Sequence, residues 1–115
     1  MKKPEVVIIL GSESDLTVFQ ESKMEEVLDM VGISYEVSII SADRNDVELR
    51  EYCREMFLDR PYNESTKVFI GAAGMLPALP GSIAAIIGFY RPVICVPLDK
   101  DTAKAMALKP AGAPV

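Results

Sequence analysis

The run Val6-Val7-Ile8-Ile9-Leu10, stopped by Gly11, constrains the fold more than any other stretch of the chain. Four of its five residues are β-branched, and its apolarity is continuous, not alternating. A strand of this kind must be covered on both faces, which predicts a parallel sheet between helical layers. The next residues fit that frame. Gly11-Ser12-Glu13-Ser14-Asp15 is a tight polar loop, and from Leu16 the pattern turns helical. Leu16, Phe19, Met24, Val27, Leu28 and Val31 predict one helix, which Gly32 ends as a C-terminal glycine.

The alternation then repeats. Tyr35 to Ile40 predicts a second strand, ending at Ser41-Ala42-Asp43-Arg44. Asn45 with Glu48 three residues on resembles a capping box. Leu49, Tyr52, Cys53, Met56 and Phe57 form the apolar stripe of the helix behind it, and Pro61-Tyr62-Asn63 predicts a turn. Val68 to Ile70 predicts a third strand running into Gly71-Ala72-Ala73-Gly74, and Pro80 to Gly88 a third helix with a proline in its first turn. Val93 to Val96 predicts a fourth strand and Asp101 to Leu108 a short helix. Ala113-Pro114-Val115 has the composition of the start of a fifth strand. Strands alternating with helices at this spacing imply βαβ units with right-handed crossovers. The 115 residues fit one domain, and with half of them apolar a core can be filled. The expected architecture is a three-layer α/β/α domain over residues 1–115 with a central parallel sheet, flavodoxin- or Rossmann-like.

In such sheets ligands bind beyond the carboxyl ends of the strands. The polar and glycine residues collect there: at 11–15, 41–44, 71–81 and Pro97-Leu98-Asp99-Lys100. Gly11 permits a sharp turn and a close backbone approach. Ser12 and Ser14 offer hydroxyls beside a helix start, which suits a phosphate or carboxylate. Asp15 suits ribose hydroxyls. Equally, Ser14 or Asp15 can simply cap the helix. Arg44 offers paired donors to a phosphate, or else sits in a surface ion pair. Asp43 reads as a helix-start residue, an ion partner of Arg44 or an acid/base group. Gly71 to Gly74 lacks the spacing of a dinucleotide fingerprint and has no P-loop lysine. It reads as a backbone loop a flat ligand can lie against, or as small residues packing a helix onto the sheet.

Charge and cysteines narrow the classes. The net charge is −5 with no Lys/Arg run, which argues against a nucleic-acid surface. There is no histidine and no Cys-x-x-Cys pair, so no zinc site of that kind is expected. Cys53 and Cys95 read as core thiols. No segment has the length of a membrane span or a signal h-region, so a cytoplasmic protein with no membrane partner is expected.

GSESD at 11–15, SADR at 41–44, LPG at 79–81 and PAGAPV at 110–115 resemble, in order and over nearly the whole chain, the motifs of the PurE family. The resemblance implies a PurE-type fold, a homo-oligomer that is commonly an octamer, and a step of de novo purine biosynthesis needing neither metal nor other cofactor. The substrate it implies is aminoimidazole ribonucleotide or its carboxylated form. The reaction it implies puts a carboxyl group on the imidazole carbon, as in N5-carboxyaminoimidazole ribonucleotide mutase. Carried over by motif, Ser12 and Asp15 contact phosphate and ribose, and Ser41 and Arg44 bind phosphate. Gly71, Ala72, Ala73 and Gly74 line the base and the migrating carboxyl group; Gly11, Ser14 and Leu79 complete the binding set.

Two positions depart from the family pattern. Asp43 stands where the family has its proton-shuttling histidine, and Ala78 where it has a second. An imidazole, near ~6.5, exchanges protons at neutral pH, whereas a carboxyl near ~3.9 needs a large upward shift to do so. Arg44 beside it favours the ionised form. Asp43 is therefore the catalytic candidate by position only. The alternatives are a nucleotide-binding paralogue without activity, or a carboxylase of another heterocyclic nucleotide. The third loop, one residue longer than the usual PurE loop, resembles that of LarB, a PurE-like carboxylase; the first loop does not share that likeness, so the carboxylase is the minor alternative.

Overall fold

The computed structural model describes residues 2–41, 46–74, 78–88 and 90–98. Its centre is a four-stranded parallel sheet of β1 (Val6–Leu10), β2 (Tyr35–Ile39), β3 (Val68–Ala73) and β4 (Val93–Pro97), in the order β2-β1-β3-β4. Among the described residues, four α-helices lie between them: α1 (Ser14–Glu21), α2 (Met24–Met30), α3 (Asp46–Cys53) and α4 (Ala78–Ile87). The expected doubly covered strand is there. All five residues of β1 are buried, and they divide by alternation. Val7 and Ile9 join the core under α3 and α4, with Leu49, Phe69, Leu79, Ile83 and Ile87. Val6, Ile8 and Leu10 join the opposite core with Phe19, Ile70 and Ala72, against which Leu16, Met24 and Leu28 of the α1–α2 layer pack. Three layers result from this division, and the sheet order is that of flavodoxin-like folds.

Several elements differ from the sequence expectation. The helix expected from Leu16 to Val31 is two helices. Lys23 sits in the left-handed region at φ 62°, and the chain turns there. The cause is a gap of five between Phe19 and Met24, which throws the second apolar stripe out of phase with the first. Gly32, at φ 74°, does end α2: its N–H donates to Asp29 O and that of Ile33 to Leu28 O, a Schellman pair.

The strand expected to stop at Ile70 continues to Ala73, because Gly71, Ala72 and Ala73 pair in register with Cys95, Val96 and Pro97. The stretch is therefore mostly strand, not loop. Gly71 is glycine because α4 lies on it: a Cβ there would stand 3.1 Å from both Pro80 Cγ and Ile83 Cδ1. Helix α4 begins at Ala78, two residues earlier than expected, and accommodates Pro80 because first-turn N–H groups have no intrahelical acceptor. Beyond Cys53 the second stripe runs into a π-helical turn, Arg54–Leu58, closed by the Asp59 N–H to Arg54 O bond. The turn at Pro61-Tyr62-Asn63 is a 3₁₀ turn, Tyr62–Glu64. Asn45, the helix expected over 101–108 and the fifth strand at 113–115 lie outside the described residues.

At the amino ends of the strands, Arg91 ties the molecule together. It is 5% exposed. Its Nε donates to Thr66 O at 3.0 Å, and its Nη2 donates to Tyr62 O at 2.9 Å and Ser65 Oγ at 2.8 Å. The guanidinium lies 3.7 Å from the Tyr62 ring centroid and 5.2 Å from that of Phe57. This fork fixes the entry to β4 against the entry to β3. The carboxyl ends are left to the loops.

Candidate functional site

In the order β2-β1-β3-β4, the chain leaves β1 towards one edge and crosses back to β3 on its other side. Loops diverge at such a point and open a crevice between the carboxyl ends of the two strands. Backbone bonds carry the sheet just past the strand ends on both sides: Gly11 N–H donates to Ala72 O at 3.1 Å, Ile40 N–H to Leu10 O at 2.9 Å and Leu98 N–H to Ala73 O at 3.2 Å. The loops after β1, β2, β3 and β4 therefore start from one edge.

The loop after β1 is the best defined. Ser12 Oγ donates to Asp15 Oδ2 at 3.0 Å, and Ser12 Oγ and Ser14 Oγ are 2.9 Å apart. Since the single Ser12 proton is used on the carboxylate, Ser14 is the donor of the second bond. The result is a directed chain, Ser14 to Ser12 to Asp15. These side chains do not cap α1. The residue before the helix is Glu13, which makes no side-chain capping bond, and the hydroxyls and carboxylate bond one another. Ser12 and Ser14 are exposed, and Asp15 is half-buried in the first turn of α1.

Across the crevice, the end of β3 meets this loop. A Cβ on Gly11 would lie 3.4 Å from Ala73 Cβ, 3.5 Å from Asp15 Oδ2 and 3.8 Å from Leu79 Cδ2. One on Gly74 would lie 2.9 Å from Asp15 Oδ1. Gly11, Asp15, Ala73, Gly74 and Leu79, from three separate segments, thus share one place, with Ser12 and Ser14 at its solvent side. Ser41 is half-buried one residue past Ile40, beside the end of β1. Gly71 and Ala72 are buried inside the sheet. Asp43, Arg44, Asp99 and Lys100 lie outside the described residues.

Chemically, the described part combines two hydroxyls, a helix start and one carboxylate. The first two suit an oxyanion; the carboxylate, with Oδ2 already bonded, suits a hydroxyl or amine donor of the ligand. Among the described residues, no three His, Cys, Asp or Glu side chains form a metal-ligand set. No helix of the described residues is long and apolar enough to cross a membrane. Among the described residues, the perturbed groups lie elsewhere. Burial pushes the Cys53 thiol up to about 11. Tyr52, which donates to Glu36 Oε1 at 2.7 Å, is raised first by burial. A charged hollow of about 430 Å³ between Glu51, Arg54, Glu55, Asp59 and Arg60 sits at the C-terminal end of α3 and its π turn, the far end of a crossover helix from the strand ends.

Sequence reasoning missed two features: the bridging role of Arg91, which no periodic pattern announces, and the contact between Asp15 and Gly74, which is remote in sequence.

Residues 5–114 match the family model described as AIR carboxylase. Among curated relatives, the chain is 41% identical over 96 residues to a probable N5-carboxyaminoimidazole ribonucleotide mutase of Methanobrevibacter smithii, covering 84% of this chain and 26% of that protein. It is 37% identical over 99 residues to the N5-carboxyaminoimidazole ribonucleotide mutase of Thermotoga maritima, covering 86% of this chain and 53% of that one. The chain thus spans between a quarter and about half of the length of these two relatives. Among solved structures, Treponema denticola PurE superposes with a TM-score of 0.76 at 27% identity, covering 98% of this chain and 70% of that one.

Proposed function

The chain belongs to the AIR carboxylase family, and on that premise we propose that it binds aminoimidazole ribonucleotide or its carboxylated form and acts as an N5-carboxyaminoimidazole ribonucleotide mutase of purine biosynthesis. The observation that carries the reading is the directed chain of Ser14, Ser12 and Asp15, set against Gly11 and Gly74 at the point where the strand order reverses. The serines and the start of α1 take the ribonucleotide phosphate, joined by Arg44 and Ser41. Asp15 accepts from a ribose hydroxyl. Ala73, Gly74 and Leu79 line the flat base at the end of β3. The family match and the mutase relatives favour this reading over an inactive nucleotide-binding paralogue or a LarB-like carboxylase.

The chemistry asks little of the protein beyond positioning. The carbamate C–N bond breaks and its nitrogen gains a proton; a C–C bond forms at the imidazole carbon, which loses one. A group that gives and retakes one proton is sufficient. With no histidine in the chain, that group is the Asp43 carboxyl or the migrating carboxylate of the substrate itself. The chain works in the cytoplasm as a homo-oligomer, on a small ribonucleotide and with no resident cofactor. Calorimetric titration with the two ribonucleotides, followed by an absorbance assay of their interconversion, tests the proposal: binding with turnover is expected, and absence of binding overturns it.

A further inference from the structure

We propose that Gly74 is a positioning residue, glycine because any side chain there would push the Asp15 carboxylate out of the crevice. This rests on the ribonucleotide reading of the site and adds to it how the carboxylate is held. The contact is specific. Among the described residues, its chain neighbours aside, Asp15 Oδ1 is the one heavy atom within 4 Å of the place a Gly74 Cβ would take, at 2.9 Å, closer than real Cβ contacts come. Backbone conformation does not demand glycine there, since the glycines at positive φ are Gly32 and Gly88. Nor is it general crowding, because Gly71, deeper in the same strand, meets Pro80 and Ile83 instead. The other oxygen, Oδ2, lies 3.5 Å from the Cβ place of Gly11. The carboxylate thus occupies a slot whose two sides are both glycine, one from the end of β1 and one from the end of β3.

The cost of filling that slot falls on the site and not on the fold. The atom in the way is the far end of a short side chain that can rotate, whereas at Gly71 part of the obstruction is backbone. A methyl at 74 therefore swings Asp15 aside with little loss of stability. The swing breaks the Ser12 Oγ to Oδ2 bond and releases Ser12 and Ser14 from their shared order.

The test is a double-mutant cycle of Gly74→Ala and Asp15→Ala, read by calorimetry with aminoimidazole ribonucleotide and by the backbone amide resonances of Ser12 and Asp15 in the ligand-free protein. Gly74→Ala is expected to weaken binding about tenfold to a hundredfold, the loss of one hydrogen bond to a charged group. It should also shift those resonances. In the Asp15→Ala background the same substitution is expected to change affinity less than about twofold, because the atom it displaces is gone. Full additivity of the two substitutions, or unaltered affinity of Gly74→Ala, overturns the positioning role. If the unsubstituted protein binds no ribonucleotide, the functional reading falls. The resonance shifts then decide the Gly74–Asp15 contact alone: it stands if they vanish in the Asp15→Ala background and falls if they persist.

Discussion

Replacing Arg91 by methionine tests the account of what fixes the sheet. The substitution keeps the length of the stem and removes the fork. Of its three acceptors, Tyr62 O keeps the Lys67 ammonium, 2.6 Å away, and Ser65 Oγ keeps its own bond to Tyr62 O. Thr66 O loses the Nε donor inside a residue with no exposed surface. An orphaned buried carbonyl costs about 1–3 kcal/mol. Loss of the cation over the Tyr62 ring at 3.7 Å costs about 1–2 kcal/mol more. The guanidinium is buried on neutral oxygens, Thr66 O, Tyr62 O and Ser65 Oγ, and relief from burying that charge returns part of the loss. The net expectation is a loss of about 2 kcal/mol, a large share of the ~5–15 kcal/mol of a typical domain. Lysine should recover only the share owed to a cation over the Tyr62 ring, because its compact, strongly hydrated ammonium cannot bridge Thr66 O and Ser65 Oγ as the planar fork does. Urea unfolding followed by circular dichroism, at one fixed protein concentration, measures both variants. A loss below about 0.5 kcal/mol for Arg91→Met, or near-complete rescue by Arg91→Lys, would refute the argument that fork geometry, and not charge, holds the entry to β4.

Gly71→Ala should lower stability by about 1–3 kcal/mol in the same assay, since a Cβ would press on Pro80 Cγ and Ile83 Cδ1 at 3.1 Å and on Pro80 Cα at 3.2 Å. The buried Cys53 thiol, raised from 9.0 to about 11, binds its proton more tightly in the folded than in the unfolded chain. Its contribution to stability is complete below pH 9 and lost as the pH rises towards 11, so Cys53→Val should flatten the pH dependence of unfolding in that window. Arg44→Ala should abolish measurable affinity for the phosphorylated ligand; unchanged affinity would remove Arg44 from the site. Asp43→His should raise the interconversion rate if the proton carrier is the weak point, and a variant that binds but turns over no faster would show that the pocket differs by more than that residue.

How legible the fold was depended on whether the physics of each element is local. The unbroken apolar run of β1 announces cover on both faces, and the two cores divide Val7 and Ile9 from Val6, Ile8 and Leu10 as that requires. Gly32 announces the end of α2 because a positive φ is a local demand. By contrast, Gly71-Ala72-Ala73 look like loop residues, since small side chains carry no strand propensity; their strand character comes from pairing with β4 and from the close approach of α4. The break at Lys23 lies in the gap between Phe19 and Met24, but only the packing of two separate helices gives that gap its meaning. For the site, spacing was enough to bring Gly11, Ser12, Ser14 and Asp15 to one strand end, because they are nearly contiguous. That Asp15 would rest against Gly74 comes from the crossover placing β3 beside β1, a tertiary fact no local pattern contains.

The most direct measurement is calorimetric titration of the purified protein with aminoimidazole ribonucleotide and with its N5-carboxylated form, followed on the same sample by the absorbance change of carboxyl transfer. The account predicts saturable binding of both, with turnover in the absence of added metal. Absence of binding to either ribonucleotide would contradict it, and would mean that the crevice at the ends of β1 and β3 serves a different ligand.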